Sequence, residues 1–307
     1  MTFARPICVL ALLACLTAPA VAAPDPIEPF LDDQTVLVAR VDLRQIDLPK
    51  AVAWGADALK RVNAPADLTE KFVRDTSVPA LVGQAVAQQL VAAGTNEVAV
   101  VVRIDPDSRQ PQFFGLVATP TKPGSLNTIA AGVGLTATPA NGVTVLTRAQ
   151  DKDVLTALRD VDKAPRPRLL EPLAAAGAAV IVSAEAGSQV RDLIDQALRD
   201  AGAPDEPRLG VLLDGMSPLT LSLSAKQVPA LVIKAKGQTP EAAAALKQLI
   251  DQQEDGPAPA STIVMLRDTL KPALAGDTLS ALLDPPSVDR LLRKMLPAFL
   301  AAEKTAR

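Results

Sequence analysis

One order of elements is written twice along this chain. In the first half VLVARVD (Val36–Asp42) leads into ALKRVNAP (Ala58–Pro65). In the second, VIVSAE (Val180–Glu185) leads into ALRDAGAP (Ala197–Pro204). Each begins with a β-branched run, which suits a pleated and half-buried strand. Each continues into an amphipathic stretch. A chain that alternates single strands with helices buries its apolar surface by laying helices on a sheet, so the fold class is α+β.

The remaining elements follow the same order. In the first half, strands are predicted at about 35–43, at Glu97–Asp105, at Phe113–Thr119 and at Asn141–Arg148. Helices are predicted at about 48–61, 66–93, 123–133 and 151–161. In the second half the strands are Gly177–Ala184, Pro218–Ala225, Pro229–Gly237 and Asp277–Leu283. The helix at Gly187–Asp200 carries Val190, Leu193, Ile194, Ala197 and Leu198 at i, i+3, i+4, i+7, i+8, one apolar stripe. Further helix is expected at about 207–214. Thr239, Pro240 and Glu241 form a helix start, with a hydroxyl cap, a proline at the first position and an acid in the first turn. Ser261–Leu274 reads as extra helix, and Ser287–Glu303 as a terminal amphipathic helix. Each half is therefore expected to be a ferredoxin-like βαββαβ unit, an antiparallel-rich sheet covered by helices. The units span 24–162 and 173–307, joined by the proline-rich linker KAPRPRLLEP (163–172).

The first 23 residues read as a signal peptide. Arg5 is followed by ten apolar residues, Ile7–Leu16, and then by TAPAVAA with its A-V-A site. Ten is too few to cross a bilayer, which needs about 20. Cleavage is expected after Ala22 or Ala23. Lipoprotein processing at Cys15 is the competing route, and A-V-A favours simple cleavage. Both routes lead to the periplasm or outside the cell. No later run reaches about 18 apolar residues, so no membrane span is expected.

Composition narrows the chemistry. Cys8 and Cys15 both lie in the leader, so cleavage after Ala22 leaves a chain with no disulfide, thiolate metal site or cysteine nucleophile. Histidine is absent throughout, and with it the commonest general base and transition-metal ligand. The formal charge of −3 and an aromatic content of 2% give neither the basic face nor the stacking platforms of nucleic-acid binders.

Candidate sites are few. Asp32 and Asp33 could hold a hard cation or touch a partner. Asp42 is no co-ligand, because the nine residues from Asp33 to Asp42 extend about 30 Å as a strand. Asp33 is expected instead to cap the turn into the strand. DPDS (Asp105–Ser108) begins like a calcium loop, but Gln110 and Leu116 stand where that loop needs glycine and glutamate. A plain hairpin turn is expected. Ser222 and Ser224 near Lys226 read as a solvated strand face, and AGVGL (Ala131–Leu135) as a loop rather than a phosphate-binding fingerprint. Trp54 is expected in the core. The terminal-helix stripe, from Val288 through Leu291, Leu292, Met295, Leu296 and Phe299 to Leu300, is expected to cover its own sheet. A partner or membrane surface is the alternative.

The run FLDDQTVLVARVDL (Phe30–Leu43), the leader and the doubled element order together resemble exported bacterial proteins of unknown function with a duplicated βαββαβ unit. The resemblance implies no activity, cofactor or site residue. The expected function is a non-catalytic binding or assembly module of the periplasm or cell surface, acting on a protein partner. The alternatives are a carrier or chaperone for a small apolar ligand and, less favoured, a carboxylate-dependent hydrolase. No cofactor or metal is expected.

Overall fold

The computed structural model describes residues 25–105, 110–118, 123–148, 166–174, 178–185, 216–224, 230–252 and 267–305. The expected leader with Cys15, Ala22 and Ala23, the helices expected at 151–161, 187–200 and 207–214, and Lys226 lie outside these residues.

The strands of the described residues form one sheet. Its strands are β1 (Thr35–Asp42), β2 (Glu97–Ile104), β3 (Pro111–Ala118), β4 (Leu135–Ala140), β5 (Val143–Arg148), β6 (Val180–Ala184), β7 (Met216–Ser224), β8 (Ala230–Gly237), β9 (Ala273–Ala275) and β10 (Thr278–Leu283). They lie in the order β4-β5-β3-β2-β1-β6-β7-β8-β10-β9. Every pairing is antiparallel.

This order corrects the ferredoxin-like expectation. A split βαβ unit contains a parallel pair held by a crossover helix. Here β1 and β2, on either side of the helices, pair directly and antiparallel, with Val41 opposite Val98 and Ala39 opposite Val100. Two strands were also missing from the expected set. β4 falls where no element was expected, and β9 overlaps the end of the helix expected at Ser261–Leu274.

Counted outward from the centre, the first half runs β1-β2-β3-β5-β4 and the second runs β6-β7-β8-β10-β9. The halves join through β1 and β6, with Ala39 opposite Val182.

Helices cover one face. α1 (Leu48–Arg61) starts at Asp47, whose carboxylate accepts from the Lys50 N–H at 2.9 Å. α2 (Ala66–Ala92) packs beside it. The Gln84 side chain accepts from the Leu48 N–H at 3.0 Å and donates to the Ile46 carbonyl at 3.1 Å, which fixes α2 to the start of α1. Beneath them Ala39, Val41, Val100, Val180 and Val182 form the core, with Leu126 of α3 (Pro123–Gly132) beside them. In the second half, α4 (Pro240–Gln252) lies against β8 and β10, and α5 (Pro285–Thr305) lies against β10 and α1. Thr239 caps α4 as expected, its hydroxyl accepting from the Ala242 N–H at 3.3 Å.

The opposite face has a second core. Val38, Val101, Phe114, Leu116, Val143, Val145 and Ile181 are sealed by Ile27, Phe30, Leu31, Leu169 and Leu173. Leu169 and Leu173 belong to short helical turns at Pro167–Leu170 and Glu171–Ala174. The described part of the proline-rich stretch between the halves is thus packed on the sheet.

Candidate functional site

The paired aspartates stand at the seam between the halves. Asp32 caps the turn into β1: its Oδ1 accepts from the Gln34 N–H at 3.1 Å and the Thr35 hydroxyl at 2.9 Å. The same carboxylate takes Arg103 of β2, Nη2 to Oδ2 at 2.5 Å and Nε to Oδ1 at 3.3 Å. Both partners are fully buried, Arg103 1% and Asp32 2% exposed. Arg103 also donates to the Gln34 and Gln112 side chains. A buried charge is tolerated when paired and hydrogen-bonded in this way.

Arg166 completes the cluster. Its guanidinium donates to the carbonyls of Asp32, Thr35 and Glu185 and lies 3.2 Å from the Glu185 carboxylate. Asp33 Oδ1 is 3.8 Å from Arg166, and Asp33 is 34% exposed. Of the two residues expected to touch a partner, one is buried. Asp32 points inward, and only Asp33 of the pair faces outward. The cluster ties β1, β2, β6 and the inter-half chain at one point, and its inward-facing groups are held by one another.

Asp42 has a separate environment at the far end of β1. Its carboxylate accepts from the Arg44 N–H and Nε at 2.9 Å, from Arg44 Nη2 at 2.9 Å and from Gln45 at 3.2 Å. Burial alone would raise its pKa, but these hydrogen bonds outweigh burial and hold the carboxyl below its ordinary value. Glu97 sits directly opposite on β2. Burial pushes its carboxyl up, and the Asp42 charge adds to the rise against the opposing pull of Arg40 and Arg44. The strand length thus separates Asp32 from Asp42, as expected, and each aspartate has its own arginine.

The feature that sequence reasoning missed is on α2. This helix turns small residues inward: Ala80, Gly83 and Ala87 are buried. It turns large aliphatic residues outward: Val78 is 65%, Leu81 59% and Val82 53% exposed. These three and the exposed Ala85 fall at i, i+3, i+4 and i+7, one stripe two turns long. Pro79 lies within it and removes one helix hydrogen bond. The usual amphipathic arrangement is reversed along this stretch. The signal was present in SVPALVGQAVA, where Val78, Leu81 and Val82 fall on one face and Ala80, Gly83 and Ala87 on another.

Other candidate positions have structural roles. Trp54 is half-buried on α1. The terminal helix rests on β10 and α1, anchored by Asp289 to Arg61 at 2.9 Å, and Met295 of its stripe stays 37% exposed. The Asp105 N–H donates to the Gln110 carbonyl at 3.2 Å across the β2–β3 turn, whose residues 106–109 lie outside the described residues. Among the described residues, no group of three or more His, Cys, Asp or Glu could hold a metal ion. Among the same residues, no helix is long and apolar enough to cross a membrane.

No protein-family model matches this chain, and no curated protein matches it. A solved structure, crystal form I of TP0453, aligns over 89% of this chain and 98% of its own, with 12% sequence identity and a TM-score of 0.35. That degree of likeness carries no inference to this chain.

Proposed function

We propose that this chain is an exported, non-catalytic binding or assembly module that holds a protein partner on the outward stripe of α2. The exposure of Val78, Leu81 and Val82 carries the reading. Fully burying an aliphatic side chain of this size stabilises a complex by about 1.5–3 kcal/mol. Three on adjacent turns make a compact apolar centre.

The surroundings of the stripe favour a protein. Glu70, Lys71, Arg74 and Asp75 precede it on the exposed side of α2, and Gln88 and Gln89 follow. A mixed-charge and neutral rim around an apolar centre is the anatomy of a protein interface. A helix lying on an anionic membrane carries a predominantly basic polar face instead. The equal strand order of the halves supports reading the chain as a doubled unit, one copy of which carries the stripe.

The test is site-specific photo-crosslinking in the source cell. A photoreactive residue at Val78 or Val82 should give one discrete protein adduct. The same residue at Lys236, exposed on the second half, should not. The triple variant Val78→Ser, Leu81→Ser, Val82→Ser should lose the adduct formed through Ala85 while keeping its unfolding midpoint. An adduct pattern equal at all positions, or none at the stripe, would sink the proposal.

A further inference from the structure

The halves share a strand order, yet they connect their third and fourth strands differently. In the first half α3 ends at Gly132 and β4 begins at Leu135, with two residues between them. In the second, α4 ends at Gln252 and β9 begins only at Ala273. The twenty residues between them end in a helical turn at 267–270. The described end of this connection, residues 267–272, and α4 together border an open cavity of about 480 Å³, lined by Lys247, Asp251, Arg267, Asp268, Lys271 and Pro272. That volume falls in the range of small-ligand sites.

The cavity's charges do not cancel. Asp251 is engaged by Lys247 at 2.6 Å. Asp268 is engaged by Arg267 at 2.9 Å, with Lys294 at 3.9 Å on its other oxygen. Lys271 is left over: among the described residues no carboxylate lies within salt-bridge distance of its ammonium. The wall therefore carries a surplus of positive charge.

Lys271 also occupies an unusual backbone position. Its φ is +46°, and its N–H donates to the Arg267 carbonyl at 2.9 Å, closing the helical turn. A left-handed residue after a helical turn is ordinarily glycine or asparagine, because a Cβ is strained there. The first half uses Gly134, at φ +74°, just before β4. The fold thus accepts glycine at this kind of turn, and the second half carries there a lysine that lines a cavity. Strained residues gather at functional sites.

We propose that this cavity binds a phosphate group, free or as a small phosphate ester, with Lys271 as the principal contact and Lys247 and Arg267 as flanking cations. A lysine ammonium donates three hydrogen bonds and no acceptor competes with them, which suits a multiply charged oxyanion. Lys247 directs one of its three ammonium donors to Asp251 at 2.6 Å.

Titration calorimetry of the purified chain with inorganic phosphate and with glycerol phosphate tests this, with acetate at equal ionic strength as control. Saturable binding of at least one phosphate species is expected, with acetate at least tenfold weaker. Tenfold or greater loss is expected in Lys271→Gly, which keeps the turn conformation seen at Gly134. Partial loss is expected in Lys247→Gln and retention in Lys271→Arg. Tighter binding of glycerol phosphate assigns an ester, and equal binding assigns free phosphate. Equal phosphate binding by Lys271→Gly and the parent, equal response to acetate, or no saturable binding would each overturn the proposal.

Discussion

The two halves of the sheet have the same strand order and opposite treatments of one face. In the first half, the face bearing Val38, Val101, Phe114 and Val145 is apolar and sealed by Phe30, Leu31, Leu169 and Leu173. Follow the same face across the seam and it becomes polar. Ile181 on β6 is opposite Ser222 on β7, which is opposite Val232 on β8, which is opposite Leu282 on β10. The neighbouring row reads Ser183, Thr220, Lys234, Ser280. Leu282 is 49% exposed. Strand order therefore does not decide whether a sheet has one core or two. The residue pattern within each strand decides it. EVAVVVRI in β2 is nearly continuous in apolar residues and is buried on both sides. TLSLS in β7 alternates: Leu221 and Leu223 pack toward the helix-covered core, and half-buried Ser222 falls between them on the other face.

Four experiments press on that contrast. The largest effect is expected from Arg103→Met, which leaves Asp32 charged and buried without its partner. Stability should fall by about 3–5 kcal/mol in urea denaturation. The double variant Arg103→Met, Asp32→Leu should recover much of it, since both charges are then gone. A loss below about 1 kcal/mol for the single variant would mean that the seam is held by backbone pairing alone.

Next, Phe114→Ala should cost about 3–5 kcal/mol, as expected for a large buried side chain. Leu282→Ala, on the same face of the other half, should change stability by less than about 0.5 kcal/mol. Equal costs would mean that a further layer covers the second half's polar face.

A smaller effect separates the two left-handed turns. Lys271→Gly should stabilise the chain by about 1–2 kcal/mol by relieving the left-handed Cβ clash, and Gly134→Lys should destabilise it by a similar amount. Thermal unfolding of the pair measures both signs at once.

The smallest effect concerns pH. Because the folded-state pKa of Glu97 is raised, its ionisation costs stability above that pKa and nothing below the unfolded value. Glu97→Gln should therefore be slightly more stable than the parent at pH 7, with the difference fading in acid. Asp42 has the opposite sign: its stabilisation is present at neutral pH and lost as pH falls through its depressed pKa. Asp42→Asn should be the less stable variant at pH 7 and converge on the parent in acid. A Glu97→Gln difference that persists unchanged to low pH would locate the effect in packing.

Long elements with strong local signals were legible. β1, β2, α1, α2 and α5 fall within a few residues of their expected positions, because β-branched runs, capping residues and apolar periodicity are local properties. The edges were not legible. β4, LTATPA, has few large apolar residues and includes Pro139, and β9 is three residues long. The sign that would have revealed β4 was Asn141–Gly142, with φ of +48° and +79°, a two-residue hairpin turn. The sheet order was also out of reach, since β1 pairs with β2 some 60 residues on and with β6 some 140 residues on. The role of Asp32 depends on Arg103, 71 residues away, and local cap chemistry could not distinguish it from Asp33. The stripe on α2 was readable as a pattern, but its outward direction depends on which side meets the sheet.

The seam also sets an order of events for a chain delivered from its N-terminus. β1 can pair with β2 as soon as about 105 residues are available, yet its other edge stays open until β6 emerges. Over that interval the first half presents an unpaired row of N–H and C=O groups flanked by Val36, Val38 and Val41, an invitation to pair with another chain. A fragment ending before residue 178 would hold that edge open permanently, and an excess of such fragments should co-aggregate with nascent full-length protein.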